Sequence, residues 1–232
     1  MVFCPKCKSS CSVKNGHHHG RQRYKCKNCH CQFTKEQPRG KSAKTKQWAI
    51  LLYVNGLSFR AIAKLVGVSH KAIYDWVKAF GLATYEKPIP QGEVVIELDE
   101  LWHFVKFKKN KLWIWKAYCR TTKQLIDWEC GNRDSKTLKL MLDRLLKFKV
   151  SVFFADNWEA YTELIPSELL VQTKAQTHGV ERNNFRQRHW LGRFRRKTCI
   201  VSRCKQMVDI TMSLFARFKV NGTQNMIASF FN

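Results

Sequence analysis

The chain has 232 residues, 42 of them Lys or Arg against 17 Asp or Glu, a formal charge of +25. That length admits one large or two to three small domains. A content of 44% hydrophobic and 12% aromatic residues excludes a wholly disordered basic tail. No apolar run approaches the roughly 20 residues needed to span a bilayer. The opening MVFCPKCKSS also lacks the charged-then-apolar pattern of a secretory signal, so a cytoplasmic, nucleoid-associated protein with no membrane partner is expected. A charge this positive calls for a polyanion, which favours nucleic acid over a small metabolite. Residues 1–90 hold 17 basic side chains and three acidic ones, whereas residues 91–232 hold 25 basic and 14 acidic. The back half therefore keeps carboxylates that the front half does without.

Six of the ten cysteines fall within the first 31 residues, and four form two CxxC pairs, Cys4/Cys7 and Cys26/Cys29, with 18 residues between the pairs. Two residues between thiolates let both sulfurs turn toward one ion at a tight knuckle, and two knuckles complete the tetrahedral Cys4 set of a structural zinc. Between them a short hairpin is predicted, with Asn15-Gly16 as its turn and Gln22 to Lys25 as its returning strand. Cys11, Cys31 and His17-His18-His19 are spare donors. About 35 residues cannot build an adequate core alone, so zinc binding should be part of this segment's folding energy. The segment's task is then to present Lys6, Lys8, Arg21, Arg23, Lys25 and Lys27 to phosphates, or to dock another protein.

After a linker at residues 38–43, a helix is predicted from Lys44, with Trp48, Leu51, Leu52 and Asn55 at helical spacing and Gly56 as its stop. Ser58 caps a second helix over Phe59–Leu65, and Ser69 a third from about His70 to Phe80. Small Ala61 and Ala63, the turn residue Gly67, and apolar Val68 and Ile73 are what two steeply crossing helices need, so the three helices read as a helix-turn-helix. In such a unit the last helix enters the major groove, which makes Ser69, His70, Lys71 and Tyr74 candidate DNA contacts; Trp76 reads as core.

Beyond Pro88-Ile89-Pro90 the period changes to that of strands: 94–104, 112–118 and 125–130, an antiparallel meander. An amphipathic helix capped by Ser135 runs to about Phe148. A segment apolar except for Ser151, Val150 to Ala155, reads as a buried central strand and ends in Asp156. A weaker strand at 169–172, a basic helix from about Gly179 and a last helix over 203–218 complete the order. Three strands, helix, strand, strand, helices is the order of an RNase H-like α/β fold. Its chemistry wants one carboxylate in the middle of the first strand, one at the end of the fourth and one on a late helix. Asp99, Asp156 and Glu181 occupy those places, with Glu97 and Glu100 as competitors for the first. Gathered carboxylates repel unless divalent ions sit among them. With Mg²⁺ (or Mn²⁺) bound, such a cluster activates a water or 3′-hydroxyl against a phosphodiester.

The strings Glu97-Leu98-Asp99-Glu100-Leu101-Trp102, Ala155-Asp156-Asn157-Trp158-Glu159-Ala160-Tyr161 and Val180-Glu181-Arg182-Asn183-Asn184-Phe185-Arg186 through Arg193 resemble the transposases of the insertion-sequence-one family. So does the order of cysteine pairs, helix-turn-helix and acidic triad. The resemblance covers about residues 1–220. It implies a DDE-class DNA transposase that recognises terminal inverted repeats with its front half, cleaves the element's ends and transfers the 3′-hydroxyl to target DNA. It also implies that Asp99, Asp156 and Glu181 hold the catalytic metal ions, and that double-stranded DNA (ends and target) is the partner. Two ends must be brought together, so a homodimer or higher synaptic complex is expected. Residues 181–205 hold nine Lys/Arg and one acid, and Arg182, Arg186, Arg188 and Arg193 are read as lining the DNA backbone, with Trp190 and Phe194 as core.

The expected organisation is a zinc-ribbon-like domain at 1–37, a helix-turn-helix at 43–82, an RNase H-like catalytic domain with a mixed five-stranded sheet and helices at 91–220, and a tail at 221–232. Two alternatives compete: a non-catalytic zinc/helix-turn-helix repressor and an RNase H-fold nuclease that cuts without joining.

Overall fold

In the computed structural model, which describes residues 2–34 and 40–222, the chain divides into two units after Ser42. The expected domain boundary at residue 37 and residues 223–232 of the expected tail lie outside the described residues.

The first unit is a three-stranded antiparallel sheet in the order β1 (Ser12–His18), β2 (Arg21–Cys26), β3 (Gln32–Thr34). The hairpin turn is made by His19 (φ 48°) and Gly20 (φ 72°), two consecutive left-handed residues of the kind that match strand twist. Asn15-Gly16, expected as the turn, instead lies inside β1. The pairing passes from Lys14↔Tyr24 to His17↔Gln22 there, so β1 carries one extra residue and Gly16 (φ 68°) absorbs the bulge. The carbonyls of Asn15 and Gly16 accept from Arg23 Nε (3.1 Å) and Gln22 Nε2 (2.9 Å). Pairing continues on both sides of the glycine, which is why the turn falls further along the chain.

The second unit begins with α1 (Ala43–Val54), α2 (Phe59–Val66) and α3 (His70–Ala83). Ser58 and Ser69 cap α2 and α3 as expected, each hydroxyl accepting an amide at 3.1 Å, from Ala61 and Ala72. Gly67 closes α2 in the left-handed conformation. The buried face of α1 keeps Leu51 but leaves out Trp48. Ala49, Ile50, Leu51, Tyr53 and Val54 are buried and Trp48 is exposed, because α1 packs on α2, α3 and a far segment of the chain.

That far segment is α7 (Lys205–Phe215), which runs on as a π turn over Ala216–Val220. Ile62, Ile73 and Val77 share one core with Met207, Ile210, Leu214 and Phe218 of that far segment. The Tyr53 and Thr211 hydroxyls lie 2.6 Å apart. Gly56 (φ 95°) comes so close that a Cβ there would stand 2.3 Å from the Trp190 carbonyl oxygen. Both the backbone conformation and the approach demand glycine. The helix-turn-helix is therefore built onto the back half of the chain and shares its core.

The remaining elements are β4 (Glu93–Phe104), β5 (Lys111–Cys119), β6 (Gln124–Gly131), α4 (Ser135–Leu145), β7 (Lys149–Ala155), α5 (Glu159–Leu164), β8 (Leu170–Gln172) and α6 (His178–Trp190). The sheet runs β6-β5-β4-β7-β8, with β4, β5 and β6 antiparallel and β7 and β8 parallel to β4. The central strand is thus β4, and β7 lies one place from the edge. One face packs Ile96, Leu98, Trp115 and Phe153 against Leu138, Met141 and Tyr161 of α4 and α5. The other packs Leu101, Ile114 and Trp128 against Leu191, Phe194, Val208, Met212 and Phe215. The cap of α4 is Asp134, accepting the Thr137 amide at 2.8 Å, one residue before the expected Ser135. The short helix α5 stands where the sequence suggested only a connection. Among the described residues no helix is long and apolar enough to cross a membrane.

Candidate functional site

In the first unit the two knuckles bring four sulfurs together. Cys4 and Cys29 Sγ are 3.5 Å apart, as are Cys7 and Cys26, and all four lie within 4.8 Å of one another. A tetrahedral zinc with Zn–S of about 2.3 Å sets its sulfurs roughly 3.8 Å apart, so the donors fit such an ion. At each knuckle the last residue's backbone N–H points at the first sulfur, Cys7 toward Cys4 and Cys29 toward Cys26. The Cys7 amide leads in holding the Cys4 thiol down to about 6, and the Cys29 amide leads in lowering Cys26, favouring the thiolates a metal needs. Cys11 and the three histidines are exposed and outside the set, and Cys31 stands beside it.

The second site lies where α6 crosses β4 and β5. Asp99 is central on β4, paired across the ladder with Lys116 of β5, so both side chains leave the same face. Burial pushes the Asp99 carboxyl up to about 6, and Glu100 and Asp156 push it the same way, against Lys116. Asn184 of α6 donates to Asp99 Oδ2 at 2.6 Å, and Lys116, fully buried, donates to Asn183 Oδ1 at 2.8 Å. Burial holds the Lys116 amine well below the usual lysine range.

Asp156 follows the last residue of β7. The last parallel pair is Glu97 with Phe154, so the end of β7 carries Asp156 toward Asp99, near enough for its charge to act on that carboxyl. Asp156 Oδ1 accepts the Trp158 amide at 3.2 Å, which turns the chain sharply out of the sheet. Glu100 leaves the opposite face, where Arg133 (2.6 Å) and Tyr161 (3.3 Å) hold it. Glu97 shares the Asp99 face but is bound to α6 and Arg120. Of the four β4 carboxylates, then, Asp99 is the one without a cationic partner in direct contact.

Glu181 stands in the first turn of α6, exposed, its Oε1 accepting the Thr177 hydroxyl at 3.0 Å. It shares a helix side with Asn184, one turn on, which touches Asp99. The structure therefore brings Asp99 and Asp156 together and sets Glu181 one turn away. Among the described residues only the four cysteines have ligand atoms gathered within 4.8 Å.

The expected DNA contacts divide. His70 and Lys71 are exposed at the start of α3, Lys71 paired with Asp75. The Ser69 hydroxyl is occupied as the cap, and Tyr74 packs edge-on against Phe59. Arg182 and Arg186 are exposed on α6, Arg186 reaching the Lys219 carbonyl. Arg188 is half-buried, donating to the Phe194 carbonyl at 3.1 Å.

Arg193 corrects its expectation. It is 6% exposed, its guanidinium 4.6 Å from the Tyr53 ring and 5.2 Å from that of Phe59. It joins the helix-turn-helix to the back half and offers DNA no charge there, because α6 ends at Trp190 and the chain turns inward over Gly192–Phe194. Phe194 is core as expected, but Trp190 is partly exposed, with Lys219 Nζ 3.7 Å above its ring. Glu97 enters the sequence only as a competitor for the Asp99 place, and Arg120 and Lys116 carry no signal there. Alternation along β4 placed Glu97 on the right face, but nothing in the sequence shows which oxygens a distant helix will occupy.

The chain is similar to several known proteins. A homeodomain-like domain model matches residues 41–83, and a model described as IS1 transposase matches residues 93–220, more than half of the chain. The chain is 30% identical over 122 residues to the insertion element iso-IS1n protein InsB of Shigella dysenteriae, covering 53% of this chain and 93% of that one. It is likewise 30% identical over 126 residues to the insertion element IS1 protein InsB of Shigella flexneri, covering 54% and 96%. Among solved structures it is similar to a chain of the simian T-cell lymphotropic virus intasome bound to the PP2A regulatory subunit B56 gamma, at TM-score 0.39 and 8% identity over 81% of this chain and 72% of that one. The Mos1 mariner paired-end complex with Mn gives TM-score 0.32 and 10% identity over 85% and 77%. On the family model, whose matched span holds β4 through α7, the chain belongs to the IS1 transposase family.

Proposed function

We propose that the chain is a DNA transposase that binds the terminal inverted repeats of an insertion sequence, cleaves its ends and transfers the 3′-hydroxyl to target DNA. The observation that carries this reading is the pair of Asp99 on β4 and Asp156 just past the end of the adjacent β7, with Asp99 pushed up to about 6 by burial and neighbouring carboxylates. A half-buried acidic pair of this kind suits divalent cations. The strand order β6-β5-β4-β7-β8 is that expected of an RNase H-like arrangement and supports the same reading. So does the span of the family match.

In this reading Asp99, Asp156 and Glu181 would hold Mg²⁺ (or Mn²⁺), and Cys4, Cys7, Cys26 and Cys29 would hold Zn²⁺. The divalent ions would supply a lowered pKa for the attacking hydroxyl and charge neutralisation at the phosphodiester. The chain itself does the rest. Asn184 orients Asp99, the Asp156 turn fixes the second carboxylate, and Arg182 offers a charge to the strand beside them. His70 and Lys71 present the exposed groups at the start of α3 to the terminal repeat. Because the helix-turn-helix shares its core with α7, a repeat bound there stands at a fixed distance from the carboxylates.

The test is an end-joining assay with full-length protein, Mg²⁺, labelled DNA carrying terminal repeats and a supercoiled target. Joined products are expected from the wild type, with a loss of at least 10³-fold in Asp156→Ala, the order of transition-state stabilisation such electrostatic groups supply. Cutting without joining would favour the nuclease. Repeat binding with neither would favour the repressor.

A further inference from the structure

Glu97 is the least exposed carboxylate beside the site, at 2%, two residues before Asp99 on the same face of β4. Both of its oxygens are occupied. Oε2 accepts the Val180 backbone N–H at 2.8 Å, and Oε1 accepts Arg120 Nε at 2.9 Å.

Val180 belongs to the first turn of α6, whose amides have no partner within the helix. Thr177, the residue preceding α6, makes no side-chain cap bond, its hydroxyl being turned to Glu181. The missing cap is thus supplied by a carboxylate from another element, which the positive end of the helix favours. Arg120 extends the fastening. It donates to both the side-chain and backbone oxygens of Gln176, just before α6, and stacks 4.5 Å from the Phe154 ring of β7. Gly179 lets the helix come this close, since a Cβ there would stand 2.7 Å from Glu97 Oε2 and 2.6 Å from Tyr118 Cε1.

A second fastening lies further along the same helix, where Asn184 meets Asp99. Glu97 and Asp99 are about 7 Å apart along the strand, and Val180 and Asn184 about 6 Å apart along the helix. Two bolts at matching spacing prevent α6 from sliding or pivoting on the sheet. Glu181 is the residue next to the first bolt, and a one-residue slip would turn it about 100° away from the carboxylates.

We infer that Glu97, held by Arg120 and admitted by Gly179, is a positioning residue that sets where Glu181 stands relative to Asp99 and Asp156. This rests on the reading of Asp99, Asp156 and Glu181 as the metal-holding set.

The test uses full-length Glu97→Ala, Glu97→Gln and Gly179→Ala, with Glu181→Ala and Asp156→Ala alongside. In metal-free protein, amide hydrogen exchange at Val180 and Glu181 is expected to quicken about tenfold or more in Glu97→Ala and Gly179→Ala. Mn²⁺ affinity should fall about tenfold in both, the scale on which residues behind a metal ligand act. Glu97→Gln, whose amide oxygen still accepts the Val180 N–H while its NH2 gives up the Arg120 bond, should keep most of the slow exchange and of the affinity. If Glu97→Ala does not fold, the contrast between Gly179→Ala and Glu97→Gln decides alone. Unchanged exchange and affinity in Gly179→Ala, with Glu97→Gln losing Mn²⁺, would overturn the inference and make Glu97 a ligand. Unchanged Mn²⁺ affinity in Glu181→Ala and Asp156→Ala would instead overturn the metal-holding set itself.

Discussion

Asp99→Asn is expected to abolish end joining and, in the metal-free protein, to stabilise the fold at pH 8. The Asp99 carboxyl is pushed up to about 6 from its ordinary 3.8, first by burial and then by Glu100. Below pH 3.8 folded and unfolded chains both hold this proton, so it contributes nothing. Between 3.8 and about 6 the unfolded chain releases it and the folded one keeps it, and stability falls as pH rises. Above about 6 the deficit is complete, with a ceiling of about 3 kcal/mol at 1.36 kcal/mol per unit of pKa. An asparagine escapes the deficit and can still accept the Asn184 N–H. Urea unfolding of the two proteins from pH 4 to pH 8 measures it. The variant should gain about 1–3 kcal/mol at pH 8 and little at pH 4. A variant that is less stable at pH 8, or a difference that ignores pH, would contradict the assignment. The same linkage makes divalent-ion binding displace a proton, so metal affinity should climb with pH up to about 6.

Removal of metal from the Cys4 set should unfold the first unit alone. Cys4 and Cys26 are the buried apolar anchors there, and β1 is largely exposed, so little besides the four sulfurs holds the sheet. A segment of this size is below the roughly 40 residues at which chains fold without a staple, and a structural zinc supplies folding energy of order 10 kcal/mol. Cys26→Ser, or chelation, should erase amide protection over residues 12–34 while shifting the thermal midpoint of the second unit by no more than about 1 °C. Affinity for terminal-repeat DNA should drop with it. A sheet that keeps its protection after chelation would refute a structural metal.

The parts of the fold that sequence reveals are those fixed by local chemistry. Ser58 and Ser69 must accept amides at helix starts, and Gly67 must turn left-handed, whatever surrounds them. The Asp99 and Asp156 positions follow from strand period and from an apolar run that ends in an acid. What was misjudged depends on distant partners. Trp48 lies at helical spacing with Leu51 and Leu52, yet α1 packs on α2, α3 and α7, which bury Ala49, Ile50, Tyr53 and Val54 along with Leu51 and leave Trp48 out. Arg193 belongs to a basic run, and only the inward turn after Trp190 takes it to Tyr53 and Phe59. Asn15-Gly16 is a good turn dipeptide that serves as a bulge, because the strand pairs on beyond it. Glu97 looks like a rival to Asp99 until the Val180 amide is seen to occupy it.

The helix-turn-helix and the acidic pair share a core through α7, with Arg193, Gly56 and the Tyr53–Thr211 bond at the join. On the proposed function, the second unit thus holds a reader and a cutter at fixed separation. The most direct measurement of this account replaces Mg²⁺ with Fe²⁺ and ascorbate, so that hydroxyl radicals cut the backbone next to the bound ion. Cuts are predicted close to residues 99, 156 and 181, suppressed by excess Mg²⁺ and lost in Asp156→Ala. Cutting that avoids these three segments, or that survives Asp156→Ala unchanged, would contradict it.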